Sequence, residues 1–325
     1  MLPQLPDESG GAGMMWVFSD HVGAPACIVH GGAGYWDMTD RPGAIEGVTR
    51  AADQGLNVLL GGGTALDAAQ MIVEALERDQ LFNAGIGSVL TAEGTVECDA
   101  AIMDGTSAKV GAVTGLRYMA NPIRVARALA DVGPHAFLAG EGALRFAVSH
   151  GFQRVPEERL VTPHQRELWE RWKAGLEAPS GTMTPPARGM SMSAGTVGAV
   201  CVDGNGAVAS ATSTGGVRGK SPGRVGDSCV IGAGTWADEM GAVSCTGPGE
   251  AMIRQGTGRG WLEGIRRGFT PDNAAERLLR LMALQMKSRA GLVGVLAGGT
   301  GVVGYSTEWM PWAIRSVVSS MQSDA

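Results

Sequence analysis

The stretch that decides the fold is Gly195-Thr-Val-Gly-Ala-Val-Cys-Val-Asp203-Gly-Asn-Gly206-Ala-Val-Ala-Ser-Ala-Thr-Ser-Thr214-Gly-Gly216. It reads as two strands of small and β-branched residues joined by an Asp-Gly-Asn-Gly turn, a strong local hairpin signal. With Gly204-Asn205-Gly206 as the loop, Asp203 pairs with Ala207. Counting back sets Thr196 opposite Thr214, to within one residue of register. Two hydroxyls then meet at the open end of one hairpin, each beside glycine. A hairpin that serves only as scaffold has no need of that.

Upstream the chain loses its pattern. From Ala178 to Ala194 there is no hydrophobic period and there are three prolines, so a flexible linker over 178–195 is expected. A linker that ends at Gly195-Thr196, against a well-patterned strand, suggests that Thr196 becomes a chain terminus. An N-terminal threonine carries its own base, because its free α-amine has a reference pKa near ~8. The restricted χ1 of threonine helps to aim the hydroxyl. Glycine before it tolerates the strained backbone needed for attack on the preceding carbonyl. Gly181-Thr182 is a decoy, since Met-Thr-Pro-Pro follows it and cannot open a strand. The bland alternative is a threonine at a strand start, and the hairpin alone does not exclude it.

Further motifs stand in order along the chain: His30-Gly-Gly-Ala-Gly34, Leu81-Phe-Asn-Ala-Gly85, Asp99-Ala-Ala-Ile-Met-Asp-Gly105, Ser213-Thr-Gly-Gly216, Gly223-Arg-Val-Gly-Asp227 and Thr246-Gly-Pro-Gly-Glu250. With Gly195-Thr-Val-Gly-Ala-Val200 they resemble the plant-type L-asparaginase / isoaspartyl peptidase family of N-terminal-nucleophile hydrolases, from about His30 to Trp312. The resemblance implies an αββα sandwich that cleaves itself between Gly195 and Thr196. One domain over 1–325 would comprise an extension (1–25), an α subunit (26–195) and a β subunit (196–325). Thr196 would then attack the side-chain amide of L-asparagine or the β-peptide bond of an isoaspartyl dipeptide.

The remaining roles come from the same resemblance. Thr214 would hydrogen-bond near the nucleophile, and Thr246 with Gly247 would form the oxyanion hole. Arg224 would hold the substrate α-carboxylate and Asp227 its ammonium, and a guanidinium fork does suit a carboxylate. The alternative for Arg224 and Asp227 is a surface ion pair of little energetic weight. Asn83 is expected in the pocket wall. A structural Na+ would sit on the main-chain carbonyls of Leu76, Glu77, Asp79, Phe82, Ala84 and Ile86, which leave almost no trace in sequence. Pairing of two cleaved protomers into an (αβ)2 dimer is also implied. Two positions depart from the family pattern: Gly219 where asparagine is common before Lys220, and Cys229 where proline often follows Gly-Asp-Ser. Gly195 favours the asparaginase/isoaspartyl branch over relatives with aspartate before the nucleophile. A rival reading from another class is an uncleaved scaffold that binds an amino acid or peptide end.

Composition sets outer bounds. The 325 residues are 44% hydrophobic with a net charge of −6, enough to bury a sizeable core. Mild acidity and the lack of a basic run argue against nucleic acid and anionic membranes. The 51 glycines show no collagen period and suit a small-residue sheet protein with tight turns. Five cysteines with no Cys-x-x-Cys argue against zinc or a disulfide framework and for reduced thiols in a cytoplasm. No apolar run reaches membrane-spanning length. The first 25 residues lack the layout of a signal peptide and are expected to be weakly ordered.

The rest of the chain reads as blocks. Ala26–His30 is a strand, and apolar spacing from Ala44 to Leu59 makes a helix. Thr64 with Asp67 forms a capping box ahead of a second helix. Strands near Thr95–Met103 and Lys109–Arg117 follow, then helical sequence from Asn121-Pro122 to about His150. Beyond the central hairpin, strands are expected near Cys229–Gly232 and Ala242–Cys245, a helix over Asn273–Lys287, and a hairpin pairing Leu292–Leu296 with Val302–Tyr305. Helices and antiparallel strands in two blocks each imply stacked sheets between helical layers, an α+β class. Gly215 to Ser221 nearly spells a phosphate loop but is one residue short and opens no helix. His30 reads as structural, and Trp309, Met310 and Trp312 as packing.

Overall fold

The computed structural model describes residues 15–176 and 195–322. All but Gly195 of the expected linker, with the Gly181-Thr182 decoy, lies outside them. In chain order the first elements are β1 (Trp16–His21), β2 (Ala26–His30), α1 (Arg41–Leu60), α2 (Ala65–Arg78), β3 (Cys98–Asp104) and β4 (Val110–Leu116). Next come α3 (Pro122–Val132), β5 (Phe137–Ala139), α4 (Gly140–Ser149), α5 (Pro163–Lys173), β6 (Val197–Val202) and β7 (Val208–Thr214). The last third holds β8 (Thr235–Asp238), β9 (Gly241–Thr246), α6 (Gly249–Gln255), α7 (Thr257–Arg266) and α8 (Pro271–Met286). It closes with β10 (Gly291–Leu296), β11 (Thr300–Tyr305), β12 (Trp312–Ser316) and β13 (Ser320–Gln322).

The strands form two sheets, one in the order β13-β12-β2-β6-β7-β3-β4-β5, the other β1-β11-β10-β9-β8. Both are antiparallel apart from the β4–β5 pair. The sheets stack face to face. Ile28, Val200, Val202 and Val208 of the larger meet Val293, Val295 and Val303 of the smaller in one buried cluster. The opposite faces of β2 and β6 (Cys27, Val29, Val197, Ala199, Cys201) pack on α1 and α2, and α3 covers β3 and β4 in the same core. On the far side Trp261, Leu262, Leu278 and Leu279 of α7 and α8 cover the smaller sheet. The result is four layers, helix–sheet–sheet–helix. Alternate residues of one strand thus serve two cores, which is why β6 is buried throughout. Full burial of each large aliphatic side chain is worth roughly 1.5–3 kcal/mol.

Local signals hold where they rest on short-range chemistry. The β6–β7 hairpin closes with Asp203 N–H on Ala207 O (2.9 Å), and Asp203 Oδ1 accepts the Asn205 and Ala207 amides. Val197 pairs with Ser213, so Thr196 and Thr214 are the next positions along the ladder. Thr64 and Asp67 form the reciprocal capping box at the start of α2.

Other expectations are corrected. Residues 16–21, read as part of a weakly ordered extension, form β1 on the edge of the smaller sheet. There Trp16 stacks against Trp312 and Tyr305, a tertiary gain the local composition does not advertise. Cys229–Gly232 is turn rather than strand, the strand coming later as β8. Here backbone carbonyls turn inward, Asp227 O accepting the Val230 and Gly234 amides. The helical block after Asn121 is interrupted by β5, which pairs parallel with β4. No helix among the described residues is long and apolar enough to cross a membrane.

Candidate active site

The central hairpin delivers Thr196 to the edge of the inter-sheet space, where it is 5% exposed and its Oγ1 lies 3.3 Å from Ser228 Oγ. Gly195 is held on two sides. A Cβ built on Gly32 (φ +110°) would fall 2.7 Å from the Gly195 N, C and O atoms. A Cβ built on Gly195 would fall 3.0 Å from Thr246 Oγ1. The Gly195–Thr196 peptide is therefore seated between the glycine turn after β2 and the hydroxyl at the end of β9. Only glycine lets the backbones approach so closely. Thr246 Oγ1 accepts the Ala33 N–H at 3.1 Å, which ties β9 to the same turn. Gly247 follows at φ +152°, and a side chain there would strike Ala290, its Cβ being 2.8 Å away.

Thr214, across the open end of the hairpin from Thr196, turns its hydroxyl to accept the Gly216 N–H (2.9 Å). Asn83 secures the same turn. Its carbonyl accepts the Gly215 N–H (2.9 Å), its Nδ2 donates to Gly216 O (2.8 Å), and its Oδ1 accepts the Val89 N–H (2.9 Å). Asn83 thus shapes the turn beside Thr214 from the α2–β3 connection. His30 lies deeper. Its Nε2 is 2.9 Å from Ser244 Oγ, which is in turn 2.8 Å from Thr212 Oγ1. Burial pushes its pKa down to about 3, so the ring is neutral and links the two sheets.

Arg224 and Asp227 come in on the loop between β7 and β8. The direct partner of Arg224 is Glu250, not Asp227: Nε and Nη2 donate to the two Glu250 oxygens at 3.0 and 2.9 Å. Asp227 is 3% exposed, and its Oδ2 has no hydrogen-bond partner. Burial raises its pKa to about 7, against the pull of Arg224 and with the push of Asp99 and Glu250. Both groups converge on Gly249, where a Cβ would lie 2.8 Å from Arg224 Nη2 and 3.0 Å from Asp227 Oδ1. A cation and an underpaired carboxyl side by side can bind an amino acid by its two charged ends.

The family model described as Asparaginase matches residues 23–322. The isoaspartyl peptidase/L-asparaginase of Rattus norvegicus is 42% identical over 288 residues, 88% of this chain and 84% of its own. That of Homo sapiens is 42% identical over 291 residues, 89% of this chain and 92% of its own. The plant-type L-asparaginase of Pyrococcus horikoshii is 40% identical over 297 residues, 89% and 95% of the two chains. This chain belongs to the asparaginase family.

Within that family the two departures have local reasons. Gly219 adopts φ +73°, and a side chain there would collide with the indole of Trp172, on α5. A glycine and a tryptophan have thus been fitted together beside the Arg224 loop. Cys229 is buried with its thiol 3.6 Å from Gly226 O, and burial pushes the thiol well up in pKa. It acts as a small apolar filler of that loop. Sequence reasoning gave no role to Glu250, although it quoted the residue at the end of the Thr246 motif. It also gave none to Ser228, which directly follows Asp227.

Proposed function

We propose that this asparaginase-family chain is a self-cleaving threonine hydrolase that removes β-aspartyl groups from isoaspartyl dipeptides and converts L-asparagine to L-aspartate and ammonia. The observation that carries the reading is the Gly195–Thr196 peptide seated between Gly32 and the Thr246 hydroxyl. In a first stage Thr196 Oγ1 attacks the Gly195 carbonyl, and the ester formed is hydrolysed to give chains 1–195 and 196–325. In the second, the new α-amine takes the Thr196 hydroxyl proton and the oxygen attacks the β-carbonyl of the substrate. Thr246 Oγ1 and the Gly247 N–H stabilise the oxyanion. The amine or ammonia leaves, and water frees aspartate from Thr196. Arg224 takes the α-carboxylate and Asp227 the α-ammonium. Thr214 and Asn83 hold the turn beside the nucleophile.

The proposal extends to an (αβ)2 assembly and to a reducing cytoplasm, the latter supported by five cysteines that are all buried and free. It also includes a structural Na+ on the carbonyls of Leu76, Glu77, Asp79, Phe82, Ala84 and Ile86. The fold of that loop suits the ion. Gly85 and Gly87 take φ +53° and +99°, and a Cβ on Gly87 would lie 2.7 Å from the Gln80 and Phe82 oxygens. The Glu77 and Phe82 carbonyls each accept one N–H, and a carbonyl then retains a second lone pair. The ion would supply rigidity to the loop that carries Asn83.

The decisive test is the intact mass of freshly purified, denatured protein, followed by turnover of β-aspartyl dipeptides and asparagine. Two species breaking at Gly195–Thr196, with release of aspartate, support the proposal. A single full-length species after days at neutral pH, with ligand binding but no turnover, would refute it in favour of a binding scaffold.

A further inference from the structure

The loop that carries Arg224 and Asp227 has no helix or strand between β7 and β8; short turns such as Arg224 N–H on Ser221 O shape it from within, and contacts from outside anchor it. Two buried acids do so. Glu97, just before β3, accepts the Gly223 N–H through Oε2 at 2.8 Å. Asp99, in β3, accepts the Gly226 N–H through Oδ2 at 2.9 Å. Gly223 and Gly226 bracket Arg224, and Asp227 is the next residue. The anchor itself is rigid. Asp99 sits where the β3–β4 register shifts, and its Oδ1 accepts Thr114 Oγ1 (2.6 Å) and the Gly115 N–H (3.0 Å) across that break. Bulges of this kind re-aim a side chain. Lys220 Nζ adds a third tie, donating to Glu97 O at 2.7 Å.

We infer that Glu97 and Asp99 are positioning residues for the substrate clasp, two acceptors at the start of β3 that hold Arg224 and Asp227 at the spacing of a substrate's charged ends. The inference rests on the reading of that loop given above. The acids differ in what they need. Asp99 accepts with both oxygens, so an amide in its place must turn its NH2 toward an N–H or O–H donor. Glu97 meets the loop with one acceptor, which an amide oxygen can replace. Loss of the Asp99 acceptor strands the buried Gly226 N–H, loss of the Glu97 acceptor releases the more exposed Gly223 N–H, and either lets the loop drift.

The test compares Asp99→Asn, Glu97→Ala and Glu97→Gln in the full, matured protein. It reads KM and kcat on a β-aspartyl dipeptide and hydrogen exchange by mass spectrometry over residues 219–227. Asp99→Asn and Glu97→Ala should raise KM roughly 10-fold with kcat within about twofold, and speed exchange in that segment, while Glu97→Gln restores both. Unchanged KM and exchange in the first two, or a loss of kcat at constant KM, would overturn the inference. Should Asp99→Asn fail to fold, the Glu97 pair decides alone. If the wild-type protein turns over no β-aspartyl substrate, the functional reading fails, while the exchange measurement still decides whether these acids hold the loop.

Discussion

Replacing Gly32 by alanine tests the maturation geometry most directly. The new Cβ would stand 2.7 Å from three backbone atoms of Gly195, against about 3.4 Å for ordinary contact. Backbone cannot swing aside as a side-chain tip can, so the turn and the Gly195–Thr196 peptide must part by roughly 0.7 Å. The φ of +110° adds strain on the order of 1–3 kcal/mol, and the overpacking a similar amount. A displacement near 1 Å at reacting atoms can cost about 10²-fold in rate. Gly32→Ala should therefore lower Tm and slow self-cleavage by about two orders of magnitude, read as precursor and product masses over time. Gly34→Ala is the control, since a Cβ there meets nothing within 4 Å and its φ is not positive. Cleavage of Gly32→Ala at the wild-type rate would refute the claim that this turn seats the scissile peptide.

On the proposed mechanism Thr246→Ala removes an oxyanion donor, and it should reduce kcat by about 10²–10³-fold with a smaller change in KM, measured on matured protein. It also strands the Ala33 N–H, so Tm should fall as well. With its pKa near 7, Asp227 is mainly protonated at pH 6 and mainly ionised at pH 8, and only the carboxylate pairs with an ammonium. KM should therefore fall as pH rises through 7; a flat or rising KM in steady-state assays would count against its role. Glu77 is fully buried beneath β7 and accepts Ser213 Oγ at 2.6 Å, and burial pushes its pKa to about 8. Between its ordinary value of 4.5 and 8 the folded protein holds a proton that the unfolded chain has lost, so stability falls as pH rises. The slope is at most about 1.4 kcal/mol per pH unit for this group. Glu77→Gln should flatten the decline of Tm between pH 5.5 and 8, and an equally steep decline in the variant would exclude Glu77 as its source.

Features that depend on neighbours in the chain were legible before any folding was considered. The Asp203-Gly-Asn-Gly turn sets the β6–β7 register, and with it the placing of Thr196 and Thr214 one step beyond the Val197–Ser213 pair, because turn length fixes which residues face each other. The Thr64 cap and the apolar spacing after it likewise place α2. The ordered motifs named the family. Other features arise from groups far apart in sequence that meet only in the folded chain. Arg224 pairs with Glu250, and Asp227 keeps an unpaired buried oxygen, because the β7–β8 loop folds onto α6. β1 gains its order from Trp312 and Tyr305, almost three hundred residues away. Gly219 follows from Trp172, and the Arg224 loop takes its shape from Glu97 and Asp99. Turn chemistry and helical period are local energies that a string of residues carries with it. Hydrogen bonds and desolvation inside a packed interior depend on which distant elements meet, and no local pattern encodes that.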